Sequence, residues 1–224
     1  CGSSLKFNTS FKIEHNTSLS YTDEQLRVII MSCADGTIVG YKHTDNKKIE
    51  LRVKKQRKIE RVRKLLKEAN IEYTEREYPS HPGYAVFKYF PPLLTKTLTP
   101  LWTANNHQLH VIGEELIFWD GSETNQGFYS SIKKDADFVH FLFTVTGFRS
   151  TLKTSVRENK KNLEYSVYRI ENTKIGIAAN PFKEIKMVDS EDGLEYCFTV
   201  PSGFFVTRRS GNIVMTGNCD YTVA

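Results

Sequence analysis

The chain has 224 residues, of which 39% are hydrophobic and 25% charged, and a formal net charge of +5. That length holds one large or two small domains, and the composition is that of an ordinary folded globular chain. No run of about 18 apolar residues is present, which excludes a membrane-spanning helix of the usual length.

The start, Cys1-Gly2-Ser3-Ser4-Leu5-Lys6-Phe7, lacks the apolar core of a secretory signal, so a cytoplasmic location is expected. The four cysteines, Cys1, Cys33, Cys197 and Cys219, are widely spaced and form no CxxC, so neither a zinc site nor a disulfide framework is expected.

In chain order, the first strong signal is a helix over residues 23–36. Thr22 or Asp23 can cap it, and its apolar run ends at Asp35-Gly36. Residues 53–70 lead a second helix through Leu65 and Leu66 to a stop at Asn70. Between Lys42 and Lys67 there are 12 Lys/Arg against 3 Asp/Glu, which leaves the rest of the chain slightly acidic. A basic block this concentrated is the footprint of a phosphate-binding surface. Lys42, Lys47, Lys48, Arg52, Lys54 and Lys55 are its candidate contacts. Two alternating segments, 71–77 and 84–89, predict half-buried strands. Prolines 79, 82, 91, 92 and 100 punctuate the end of this unit and the linker after it.

The pattern then repeats. A helix over 106–121, with Asn106 as its candidate cap, again closes in Asp-Gly, at Asp120-Gly121. A helix opening at Ile132-Lys133-Lys134 runs through Phe141 and Leu142 to a stop at Gly147, and strands follow at 148–156 and 165–170. Each copy reads helix, two short strands, helix, two strands. Lys133 and Lys134 are the weaker counterpart of the first copy's basic block.

From about residue 182 the character changes to short strands, at 184–188, 194–200, 204–207 and 213–215, separated by glycine-containing turns. The last turn is Val214-Met215-Thr216-Gly217-Asn218-Cys219. An Asn side-chain amide can attack its own main-chain carbonyl, closing a succinimide and releasing the downstream residues. A Cys after it can first accept an upstream acyl group on its thiol.

The repeat resembles a double-motif LAGLIDADG homing endonuclease. In that family the two motif helices pack side by side at a pseudo-twofold axis, and their terminal acids meet beneath a saddle-shaped sheet that lies on double-stranded DNA. The resemblance implies that Asp35 and Asp120 are catalytic and hold Mg2+, with Lys88 and Lys174 as candidate lysines near the scissile phosphates. Lys88 lies 53 residues after Asp35, and Lys174 lies 54 after Asp120. Two carboxylates held close repel unless a divalent cation sits between them. The motif departs from the family at its third position, where Gly is common and this chain has Ile30 and Glu115.

The run from Tyr196 to Cys219 resembles the C-terminal splice junction of an intein, whose splicing strands belong to the all-β Hint fold. The resemblance implies that Asn218 cyclises, that Cys219 is the nucleophile of the downstream host (extein) protein, and that Cys197 relays protons or assists branching. The expected fold class is α+β: a pseudo-twofold αββαββ repeat plus a small all-β Hint C-terminal segment. Residues 1–20 would be a linker or a remnant of the N-terminal Hint part. Residues 21–175 would be the endonuclease, with repeats at 21–90 and 105–172, then 180–218 the splicing segment and 219–224 the host flank.

The expectation is a monomeric DNA endonuclease fused to a splicing segment, with no membrane partner. It would be the C-terminal part of an intein, either truncated or a split half that meets an N-terminal intein fragment. The alternative is a splicing half whose endonuclease part binds DNA but no longer cuts.

Overall fold

The computed structural model describes residues 5–7, 17–40, 46–78, 81–122, 127–156, 163–170, 177–179, 193–194 and 199–217. Strand β1 (Leu5–Phe7) comes first, followed by helix α1 (Asp23–Asp35). The α1 cap is the expected Thr22, in a full capping box: Thr22 Oγ1 accepts from the Gln25 amide, and the Gln25 side chain accepts from the Thr22 amide. The helix passes directly into β2 (Gly36–Val39), and β3 (Lys48–Val53), α2 (Gln56–Glu68), β4 (Tyr73–Glu77) and β5 (Ala85–Tyr89) complete the first copy. Val53, expected to lead the second helix, instead ends β3.

The second copy contains α3 (Asn106–Asp120), β6 (Gly121–Ser122), β7 (Gly127–Ser130), α4 (Lys133–Val145), β8 (Arg149–Val156) and β9 (Leu163–Ile170). Its cap is Asn105 rather than Asn106, because Asn105 is the residue that closes a capping box with Gln108. The expected stops at Asn70 and Gly147 both take positive φ, of 52° and 94°. The Asp-Gly stops work differently. Gly36 and Gly121 have ordinary negative φ. A Cβ on Gly36 would lie 2.6 Å from the Ser32 carbonyl oxygen, and one on Gly121 would lie 2.7 Å from that of Ile117. Glycine is needed there so that the strand can fold back tightly against the helix it leaves.

Each copy forms an antiparallel sheet. The first has the order β2-β3-β5-β4. Its edge strand β4 exposes all five side chains, where half-burial was expected. The second contains β8-β9-β7-β6 and is extended at β8 by a hairpin, β11 (Phe204–Arg209) and β12 (Asn212–Gly217). The link is the pairing of Asn212 with Thr151 and a hydrogen bond from the Leu152 amide to the Gly211 carbonyl at 3.0 Å. These C-terminal strands therefore continue the second repeat's sheet. The expected strand at 184–188 lies outside the described residues. A further short strand, β10 (Ile177–Ala179), pairs with β1.

Helices α2 and α4 bury apolar stripes at Ile59, Val62, Leu65 and Leu66 and at Phe138, Val139, Leu142 and Phe143. These meet the inward residues Ile49, Leu51 and Phe87 of one sheet and Phe128 and Val167 of the other, in a single core. Each such side chain contributes about 1.5–3 kcal/mol on burial.

Helices α1 and α3 lie side by side and parallel. At their N-terminal ends His107 Nε2 is 2.7 Å from Asp23 Oδ2. Midway, Arg27 bonds Glu114 at 3.0 Å and Glu115 at 3.1 Å. Glu115 is fully buried, and it also accepts from Arg61 of α2 and from the Trp119 indole at 2.7 Å. A charge therefore sits in the seam between the two helices, and three donors from three helices, two of them guanidiniums, surround it. Removing one member of such a cluster strands the others. Glu115→Ala is expected to lower unfolding free energy by about 3–5 kcal/mol. A urea midpoint within error of wild type would show that the cluster carries no stability.

Candidate active site

The parallel packing brings the last residues of α1 and α3, Asp35 and Asp120, to the same end of the helix pair. They are close enough to act on one another electrostatically. Burial, and then the charge of Asp35, push the Asp120 carboxyl up to about 6 from 3.8. Neither helix has a basic residue in its last turn, so each C-terminus adds the negative end of a helix dipole to a carboxylate.

Two lysines from elsewhere offset that charge. Lys58, in the first turn of α2, donates to Asp35 and reaches the Trp119 carbonyl of α3 at 3.3 Å. Lys96, from the segment joining the two copies, donates to the Ser32 carbonyl at 3.0 Å and to that of Cys33 on α1. Both lysines lower the Asp120 carboxyl, against burial and Asp35. Partial burial in turn pulls Lys96 below the ordinary lysine value, opposed by Cys33, Asp120 and Asp35.

The two copies differ in how they deliver these cations. Lys58 is the third residue of α2, and the third residue of the equally long α4 is Asp135. Asp135 is buried and accepts from Thr97 Oγ1 at 2.6 Å and from the Leu98 amide at 2.8 Å. It thereby anchors the segment that carries Lys96. Burial pushes the nearby Cys33 thiol up to about 12, so it is a poor nucleophile.

Sequence reasoning found Asp35 and Asp120 but not these lysines. Lys58 was hidden within the basic block, and no periodicity marks Lys96. Lys88, expected near the scissile phosphates, is on β5, where its ammonium pairs with Glu50 at 2.8 Å. Lys174, Cys197, Asn218, Cys219 and Lys42 lie outside the described residues.

The two carboxylates suit a divalent cation on chemical grounds. They are hard oxygen donors held at one end of the helix pair, which is the donor chemistry a small divalent cation takes. Among the described residues no group of three or more His, Cys, Asp or Glu side chains is placed to hold a metal, so water or substrate oxygens would complete the shell.

The basic block divides into two parts. On α2 the cations are largely engaged within the protein. Arg61 binds Glu115, Arg63 binds Glu75 at 3.1 Å, and Arg57 lies over the Phe118 ring at 4.9 Å. On β3 the alternation turns Ile49, Leu51 and Val53 to the core, while Lys48 and Arg52 stay exposed on the other face. Lys48 lies over Phe90 at 4.5 Å, Arg52 over Tyr78 at 4.9 Å and Lys54 over Tyr84 at 5.6 Å. Lys47 and Lys55 are exposed beside them. Glu50, on the same face as Lys48 and Arg52, is held below the usual carboxylate range by Lys88 and then Arg52. In the second copy Lys153 lies over Tyr168 at 5.7 Å. Lys133 pairs with Asp137 at 2.8 Å, and Lys134 is exposed.

No protein-family model matches the sequence, and no curated protein matches it. Solved structures do. Mesophilic variants of the homing endonuclease I-DmoI match with a TM-score of 0.50 and 13% identity, over 66% of this chain and 89% of that one. A variant of I-DmoI in complex with its target DNA in the presence of manganese matches with a TM-score of 0.51 and 12% identity, over 66% and 87%. These relatives are LAGLIDADG homing endonucleases, and the chain shares their mixed fold of helices and antiparallel sheets.

The raised Asp120 value sets the sign of a pH effect. Below about pH 3 the group is protonated in both the folded and the unfolded chain and has no effect. As pH rises toward 6 the unfolded chain ionises first, so folded stability falls and then levels off. Asp120→Asn is expected to be more stable than wild type at pH 7–8, by up to about 3 kcal/mol before water screening reduces it. The difference should vanish below about pH 3. Parallel stability curves for the two proteins would exclude a strained carboxylate pair.

Proposed function

We propose that the chain is a site-specific endonuclease acting on double-stranded DNA, with Asp35 and Asp120 as its metal-holding acids. The observation that carries this reading is the apposed carboxylate pair at the ends of the two repeated helices, with Lys58 donating to Asp35 and Lys96 to the last carbonyls of α1. The DNA-bound, manganese-containing complex of the I-DmoI variant supports both the nucleic-acid partner and a divalent metal. Magnesium is the physiological candidate.

When bound, such a cation would activate a water and stabilise the leaving oxygen of a phosphodiester. The protein's own groups do the rest. Lys58 donates to Asp35 and sets the carboxylate's position, and Lys96, bonded to the last carbonyls of α1, adds positive charge beside the pair, where scissile phosphates would gather. The outer sheet faces grip the duplex: Lys48, Arg52 and Lys54 for phosphates, and the polar strand residues for base edges. Because Lys58, Arg61 and Arg63 of α2 pair with acids of the protein, the DNA surface is assigned to the strand half of the basic block.

We further propose that residues 180–218 are an intein's C-terminal splicing segment and 219–224 the host flank. Its support is the sequence of the junction, and strand β12 runs to Gly217, immediately before Asn218.

Asp35→Asn and Asp120→Asn are each expected to abolish Mg2+-dependent nicking while leaving DNA affinity within a few fold. Wild type that binds a target but never nicks it would favour the inert-remnant alternative. Replacing Arg52, Lys54 and Lys55 together by Gln should weaken binding to all sequences and flatten its salt dependence by about 0.9 for each phosphate no longer bound. An unchanged slope would mean that this face does not meet DNA.

For the junction, the chain is mixed with a matching N-terminal intein fragment and followed by mass spectrometry. Wild type should release the tail after Asn218, and Asn218→Ala should not. Cys219→Ala should block ligation but still allow some release. Equal tail release from wild type and Asn218→Ala would remove the splicing assignment.

A further inference from the structure

The acid pair already has a cation on it. Lys58 donates to Asp35 Oδ2 and, with the same ammonium, reaches the Trp119 carbonyl oxygen at 3.3 Å. One acceptor is the last residue of α1, and the other immediately precedes the last residue of α3. The ammonium therefore bridges the two helix ends beside Asp120. Its charge also lowers the Asp120 carboxyl, against the larger effects of burial and Asp35. A carboxylate oxygen and a carbonyl oxygen are hard donors of the kind that a small divalent cation takes. An ammonium and a metal ion would compete for them.

Helix formation does not account for this lysine. Lys58 is in the first turn of α2, which holds no acidic residue and whose cap makes no side-chain bond. That turn is the positive end of the helix dipole, where a cation is unfavourable. The side chain is nevertheless turned inward: it is 15% exposed, against 48% for Arg63 and 60% for Lys64 of the same helix. Lys96 is a different case. Its bonds go to the Ser32 and Cys33 carbonyls, so it lends charge to the site without taking a carboxylate oxygen.

We propose that Lys58 is a built-in competitor for the divalent cation at the acid pair, so that metal takes Asp35 only by displacing this ammonium. The free chain then holds metal weakly. The displaced ammonium is left beside the site as a donor for a substrate phosphate, so one side chain balances the acids before loading and faces the substrate after it. This rests on the metal-holding role proposed above for Asp35 and Asp120, and adds how their loading is regulated.

The test follows Mn2+ binding to the full chain by the loss of the free ion's electron resonance signal. Lys58→Met keeps the apolar stem without the charge, and should bind Mn2+ at least about tenfold more tightly than wild type. Lys96→Met removes an equal charge from the same end of the helix pair but frees no carboxylate oxygen, and should gain about threefold or less. A second measurement needs no variant. Under limited acetylation read by mass spectrometry, Lys58 of wild type should react slowly without metal and several-fold faster in saturating Mg2+, with Lys96 unchanged. Two results overturn the proposal and leave the acids as metal ligands, provided that Asp35→Asn still weakens Mn2+ binding. They are a Lys58→Met affinity no higher than that of wild type or of Lys96→Met, and a Lys58 reactivity that Mg2+ does not change. If wild type and Lys58→Met bind Mn2+ no better than Asp35→Asn, the metal assignment itself falls, and this proposal with it.

Discussion

The buried carboxylate of Glu115 is the interaction on which the rest of this arrangement depends. It belongs to α3, and its partners come from α1 (Arg27), α2 (Arg61) and its own next turn (Trp119). A lone carboxylate taken out of water costs several kcal/mol, which is recovered only when its lone pairs are filled by well-placed donors. Two guanidiniums and an indole fill them here. Arg61 is one turn beyond Lys58 on α2, and Trp119 immediately precedes Asp120 on α3. The cluster that closes the helix seam therefore also fixes the lysine and the acid that meet at its end. A seam built from small residues would bring two backbones together without this polar tie to α2. This one ties three helices to a single charge.

Below that clamp the molecule concentrates negative potential and then answers it with borrowed cations. Two helix C-termini, two carboxylates and no basic residue in either last turn would be a costly combination on their own. Lys58 and Lys96 bond the free carbonyls of those helix ends as well as acting on the acids, so one pair of side chains serves as C-terminal caps and as local counter-charge. The pseudo-symmetry breaks at this point. The third residue of α2 is the lysine itself. The third residue of α4 is an acid that holds the segment supplying the other lysine. An approximate twofold in the backbone thus coexists with two chemically unequal flanks. The two strands of a duplex would meet different surroundings.

Much of the fold could be read from the sequence because its signals are local. The repeat is visible in two Asp-Gly helix stops, in the stops at Asn70 and Gly147, and in the strands that alternate between them. Where reading failed, a tertiary contact had the deciding role. Asn105 rather than Asn106 caps α3 because the partner Gln108 sits three residues on. Strand β4 is an edge, paired on one side only, and its alternation leaves all five side chains exposed. At the site, the acids were legible because they close a repeated motif. The lysines were not, since Lys58 differs from its basic neighbours only in facing α1 and α3, and Lys96 is placed by a buried Asp135 that is 39 residues further along. Lys88 was chosen by spacing, but the strand pairing puts it directly opposite Glu50.

The same physics changes what the basic block means. Summed over the sequence it reads as one surface with a surplus of nine charges. Divided by structure, three cations of its helical half, Lys58, Arg61 and Arg63, pair with acids of the helix ends, of the clamp and of β4. The strand half is outward-facing, but its cations rest on aromatic rings, and Glu50 moderates Arg52 and Lys88. Cations held over rings keep fixed positions instead of sweeping solvent. A face of that kind gives less non-specific attraction than its sequence charge implies and more positional definition, which is the balance that reading one site among many on a duplex requires.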